Sequence, residues 1–369
     1  MKRRKLGLLG TAVFLLVPIV YFVTRPAVPS NSDLTLVSAG YHLDKIYRSM
    51  EGPWSVQRGF QLEPAINKPK TKNDFVWLTG LETQVVDATN QTPASQEFFC
   101  HANLTFAQNN NATQQSRGAA RGGKIDIDAR LFTLAPGRTS IELPAGFGLP
   151  VPADASLDYL TMSLNMNPRQ EPIDVRMRTK LHIVAADQSG APTKALFRRA
   201  VYVLQRESPS GSNEHSSCNA KKAQDDPGLG CGEWRKVSLP NGSTALVPGE
   251  GMTNHWTVGA GDHVYTSDIT PQLNLPFDTT VHYATIHVHP FARWMELRDV
   301  TAGKTILHLT SRDWPDRLGV AHVDEFKSID GIPISRGHHY ELAVEYNNTS
   351  GASTDAMAIL YLYMLDKNS

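Results

Sequence analysis

The chain reads as an all-β protein: two antiparallel β-sandwich domains in tandem behind an N-terminal membrane anchor. Three observations predict this. Helical periodicity is almost absent after the first 35 residues. Short alternating runs recur instead, among them Phe75–Asp87, Leu157–Asn167, Asp174–Val184 and His339–Tyr346, separated by Gly, Pro, Asn and Asp. Many short strands with frequent turns favour sandwiches over a parallel α/β sheet. Finally, a polar stretch from Glu207 to Glu250, rich in Ser, Gly, Asn and Pro, divides the remainder in two.

The resulting division runs from a membrane anchor or signal segment with its stalk (1–35), through a first sandwich (36–206) and a linker (207–250), to a second sandwich (251–369). The anchor rests on Met1-Lys-Arg-Arg-Lys followed by the apolar run Leu6–Val23, long enough to span a bilayer with its basic end inside. No small-x-small cleavage site stands close behind it, which favours an uncleaved anchor over a cleaved signal peptide. Either way the rest faces the periplasm or the extracellular side. A strip from Gln108 to Gly123, rich in Asn, Gln, Gly and Arg, is expected to be a loop within the first sandwich.

The 36 basic and 36 acidic residues balance and are dispersed, so nothing electrostatic points to nucleic acid as a partner. Of three cysteines, Cys218 and Cys231 bracket a loop-like segment and are expected to form a disulfide in an oxidising compartment. Cys100 is then left over and wants an explanation. Asn-x-Ser/Thr sequons at Asn90, Asn103, Asn111, Asn241, Asn347 and Asn348 matter only in a eukaryotic secretory pathway.

The most informative stretch is His287-Val-His289, inside a β-branched and aromatic run, Thr280–Pro290, that reads as a strand. Side chains alternate across a strand, so both imidazoles share a face. Met357, far downstream, could complete a His₂Met set: soft, under-filled, and suited to copper cycling between Cu(I) and Cu(II). Taken alone, His-x-His is a weak signal, and a Met within Ala-Met-Ala-Ile-Leu-Tyr-Leu-Tyr-Met is by default a core filler. His282, at an odd offset from His287, falls on the opposite face of an unbroken strand. His338 and His339 read as solvated; His255, His263, His308 and His322 lack ligand spacing and read as ordinary polar residues.

Context sharpens the signal. His287-Val-His-Pro-Phe-Ala-Arg-Trp-Met-Glu-Leu-Arg-Asp299, followed by Asn348-Thr-Ser-Gly-Ala-Ser-Thr-Asp-Ala-Met357 and a Tyr-rich final strand, resembles the second catalytic domain of the copper type II, ascorbate-dependent monooxygenases. This is the family of peptidylglycine α-hydroxylating monooxygenase and dopamine β-monooxygenase. The resemblance covers residues 72–365 and is most specific in the last ninety or so. It implies two jelly-roll sandwiches, with His287, His289 and Met357 holding the oxygen-binding copper. It further implies ascorbate as reductant and hydroxylation of an aliphatic C–H in a small or peptidic substrate.

The pattern breaks in the first sandwich. Where the family carries a His-His pair for an electron-transfer copper, this chain has Cys100-His101, and Met166 stands where the third His is expected; His182 is a less favoured substitute. Two readings stay open. Cys100, His101 and Met166 form a thiolate–imidazole–thioether site selective for Cu(I), or the site has decayed into core. Three functions therefore compete: a copper monooxygenase, a membrane-anchored copper carrier or buffer, and a metal-free sandwich used for interaction.

Overall fold

The computed structural model describes residues 32–48, 52–62, 75–107, 130–187, 189–206, 234–238, 244–249 and 252–367. The expected anchor, the Gln108–Gly123 strip and the Cys218/Cys231 pair lie outside them. Among the described residues no helix is long and apolar enough to cross a membrane. Nearly everything is strand.

A ten-stranded sheet forms the backbone of the molecule. Its main path runs Ser32–Val37, Ile173–Ala185, Phe75–Asp87, Phe147–Pro152, Lys194–Tyr202, Ala358–Leu365, Thr279–Val288 and Glu325–Ile334. A four-stranded sheet (Trp54–Gln61, Ser156–Ser163, Phe99–Phe106, Arg130–Leu134) and a five-stranded sheet (Gly261–Asp268, Tyr340–Asn348, Ala292–Asp299, Lys304–Asp313, Val320–Val323) complete the two halves. Strand formation follows pattern. In Ile173–Ala185, Val175, Met177, Thr179, Leu181 and Ile183 point inward while Arg176, Arg178 and Lys180 point out, the period of a half-buried strand.

One pairing departs from the antiparallel expectation. Lys194–Tyr202 runs parallel to Phe147–Pro152, in register at Lys194↔Phe147 and Ala195↔Gly148. Two long strands, Ser156–Ser163 and Ile173–Ala185, intervene in sequence, so the chain returns in the direction it left. The polar stretch also holds more order than a linker reading implies, since Trp234–Ser238 and Thr244–Gly249 pair as a hairpin.

Two hydrophobic cores flank the large sheet where it passes through the middle of the molecule. Ala358–Leu365 has no solvent face: Ile359, Tyr361 and Tyr363 enter the first core, and Ala358, Leu360, Leu362 and Met364 the second. Thr279–Val288 divides in the same way, with Tyr283 in the first core and Val281, Ala284, Ile286 and Val288 in the second. Lys194–Tyr202 is shared too, giving Leu196 to one core and Phe197 and Val201 to the other. Of the sequons, Asn103 and Asn348 are buried; the Asn348 amide donates to the carbonyls of Val258, Gly259 and Ala352.

Because Leu362 is fully buried in a strand common to both cores, Leu362→Ala should lower the unfolding free energy by about 2–5 kcal/mol. Val300→Ala, at an exposed site, should stay within about 0.5 kcal/mol. Denaturant titration of the two variants checks this, and equal midpoints would show that the shared strand is not a stability determinant.

Candidate metal centre

The site begins with strand parity. Ala284, Ile286 and Val288 point into the second core, so His287 points the other way, toward the first half of the chain. There it meets His101 from strand Phe99–Phe106, ring centroids 4.8 Å apart. His289, one residue past its strand, lies 5.3 Å from His287, and His255 lies 5.2 Å from His289. Four imidazoles thus form a continuous row, His101–His287–His289–His255, drawn from both halves.

His287 is 1% exposed, and neither ring nitrogen has a hydrogen-bond partner. A buried polar group left unpaired costs about 1–3 kcal/mol, so one with two such nitrogens calls for an explanation. Desolvation, reinforced by the neighbouring imidazoles of His101 and His289, holds its pKa well below the usual histidine value. The same burial, with help from Arg130, pushes His101 down to about 3. Both rings are therefore neutral at physiological pH, the form that binds a metal.

Asp355 organises the other end of the row. Its Oδ1 lies 3.2 Å from Nδ1 of His255, and its Oδ2 lies 2.9 Å from Nδ1 of His289. Burial alone would raise this carboxyl, but the attraction of His289 and His255 outweighs it and holds the pKa far below the ordinary carboxylate range. An ionised carboxylate only accepts hydrogen bonds, so both Nδ1 atoms donate and both rings turn Nε2 away from it. The Nε2 of His255 is buried and unpartnered.

Tyr346 fixes the backbone beneath the site. Its hydroxyl donates to the Met357 carbonyl at 2.7 Å and accepts from the amides of His289 and Met357, each at 3.3 Å. The strand register, His287↔Ile359 and Val288↔Ala358, carried one residue further, sets Met357 across from His289 on the face that His287 uses. Its side chain packs in the first core.

The first-half candidates converge on the same place. Cys100 is the extra residue of a β-bulge between Phe99 and His101, which allows consecutive side chains to share a neighbourhood. Its Sγ lies 2.8 Å from Nδ1 of His101. Cys100 is a free, buried cysteine whose thiol is pushed up by desolvation. It packs with Met162, Leu164 and Met166. Cys100, Met166, His287 and His289 all line one cavity of about 250 Å³. Its walls are tied across the two halves by Glu97 with Arg317, and by Asn167 with the backbone of Leu318; Arg169 braces Glu97 from within the first half.

His182 does not reach the cavity; it pairs with Asp33 on the outer face of its strand. His282 corrects the unbroken-strand expectation. A register shift between Val281 and Tyr283 turns its ring onto Phe147 in the first half, 4.2 Å between centroids, with its nitrogens on Thr280 and the Ser328 carbonyl. His338, read as solvated, bonds to Asp299, and His308 and His322 bond to Glu296 and Asp324. His255, read as an ordinary polar residue, belongs to the row. Only spatial neighbours identify it, since it sits 34 residues from His289 with no local motif.

Among the described residues no three His, Cys, Asp or Glu side chains stand ready to close on one ion. The ring spacings nonetheless suit one: two imidazoles bound at about 2.0 Å and roughly tetrahedral angles have centroids about 5 Å apart. The donor chemistry of the row, neutral imidazole nitrogens with a thioether nearby in sequence register, is of the kind that suits a soft or borderline metal.

No protein-family model matches the chain, and no curated protein matches it. Among solved structures it is similar to the major capsid protein P2 of bacteriophage PM2, at 9% identity over 90% of this chain and 98% of that one, with a TM-score of 0.29. A likeness at that score carries no argument about function.

Removing the Tyr346 hydroxyl strands three buried backbone groups. Tyr346→Phe should therefore lower stability by about 1–3 kcal/mol, read as a shift in the denaturant midpoint. An unchanged midpoint would mean that the hydroxyl does not hold these strand ends together.

Proposed function

We propose that this chain is an extracytoplasmic copper-binding protein resembling the ascorbate-dependent monooxygenases: two tandem jelly-roll sandwiches held at a membrane by the N-terminal segment. The observation that carries this reading is His287, buried and neutral with both nitrogens unpartnered in a row of imidazoles beside a cavity. His287 and His289 would hold the ion, with the thioether of Met357 favouring Cu(I). Bound copper would supply one-electron redox cycling and the activation of dioxygen, with ascorbate as the electron source.

The chain's own residues set the conditions for that chemistry. Asp355 fixes the tautomer of His289 by accepting from its Nδ1, which leaves the ring's lone pair on Nε2. Tyr346 holds the strand ends that carry His289 and Met357. Phe99, Leu164, Pro290, Phe291 and Trp314 give the cavity apolar walls, suited to seating an aliphatic C–H segment of a small or peptidic substrate while excluding water.

A second reading, a Cu(I) carrier, is favoured by Cys100 and Met166, which pack together and line the same cavity, with His101 beside the Cys100 sulfur. Burial of the Cys100 thiol works against it, because binding as thiolate would require a proton to leave a desolvated group.

Purified, copper-loaded protein should consume oxygen in the presence of ascorbate, and His289→Ala should abolish that consumption. Consumption that survives the substitution would exclude this site as its source. Copper per chain should be the same in wild type and Cys100→Ser if Cys100 is core. A loss of one equivalent in the variant would instead favour the carrier.

A further inference from the structure

We propose that His255 is a metal-ligating residue of this cluster, held with His289 as one oriented pair by the shared carboxylate of Asp355. The inference rests on the copper reading above and extends it to a residue that lies outside both expected ligand sets. Three observations carry it. The His255 Nδ1 is committed to Asp355, 3.2 Å away, as that of His289 is at 2.9 Å, so the one carboxylate orients two imidazoles alike. The remaining nitrogen of His255, Nε2, is buried without a partner. The His255–His289 spacing of 5.2 Å matches that of His287 and His289, 5.3 Å, and each pair taken separately has the spacing of two imidazoles on one ion.

The backbone supports this placement. His255 precedes the short strand Trp256–Val258, which pairs with Thr354–Ala356 at Trp256↔Ala356 and Thr257↔Asp355. That two-stranded ladder brings His255 and Asp355 together, and its second strand ends at Ala356, the residue before Met357. The His255 amide and carbonyl both bond to the Thr253 hydroxyl, which fixes the turn from which the ring projects. A carboxylate holding a ligating imidazole by its second nitrogen is the general device for fixing tautomer and ring plane at a metal. Here it serves two rings at once.

The test is copper titration of the apoprotein, with the number of imidazoles per copper read by X-ray absorption, on wild type, His255→Ala, His255→Gln and Asp355→Asn. Gln keeps a donor for Asp355 while removing the imidazole, so it separates ligation from local folding. Apoprotein melting confirms that each variant is intact. Both His255 variants should bind copper at least tenfold more weakly and show one imidazole fewer. Asp355→Asn should keep the imidazole count and lose about 10–100-fold in affinity. Wild-type affinity and imidazole count in His255→Gln would overturn the assignment while leaving the copper reading in place. Absence of stoichiometric copper in the wild type would overturn both.

Discussion

Two adjacent strands, Thr279–Val288 and Ala358–Leu365, face a hydrophobic core on each side, and the rest of the molecule depends on that constraint. A strand with one wet face tolerates a polar residue every second position; these tolerate none without cost. Alternation therefore sends every side chain to one core or the other. It sends His287 toward the first half, where burial strips its ring of water without offering a hydrogen bond in return. The neighbouring polar groups are satisfied: His282 by Thr280 and Ser328, Thr285 by the Asp324 carbonyl, Tyr283 by Glu325. The exception falls where three other imidazoles gather, and that coincidence is the physical basis for reading the place as a site.

The electrostatics of the row are asymmetric. At one end, Asp355 is held ionised by two histidines; at the other, Cys100 is held protonated by burial. Between them lie the two rings that desolvation keeps neutral, His101 and His287. A cation entering the row would gain compensation from the Asp355 end and none from a thiol that remains protonated. This gradient favours occupancy around His287, His289 and His255 over occupancy around Cys100.

The all-β class was legible because the alternation is strong. Phe75–Asp87, Ile173–Ala185 and Tyr340–Asn348 are runs that few other structures accommodate, and each is a strand. The proximity of His287 and His289 was legible for the same reason, since a period of two places both on one face. What lies beyond the reach of periodicity was not legible. His282 escaped because a bulge changes parity within the strand, and the bulge leaves no mark in residue type. His255 and Asp355 are joined by a two-stranded ladder across 100 residues of sequence, and Tyr346 acts through a hydroxyl on backbone groups that any sequence would supply. The parallel joint at Lys194↔Phe147 is likewise a consequence of routing rather than of composition.

The resemblance to the copper monooxygenases implies two ions held by separate sandwiches, and the convergence of His101 on His287 bears on that implication. Rings 4.8 Å apart leave no insulating layer between the two expected ligand groups, and two cations held by adjoining rings would repel across a desolvated interior. The Cys100 bulge lies next to the contact of His101 with His287, so two ions at these places would be close neighbours. Filling the His287 end would lower the affinity of the His101 end, so the two would not behave as independent electron-transfer and oxygen-binding centres. Cys100 and Met166 from the first half line the cavity that His287 and His289 also line, while the ring of His101 stands directly against His287.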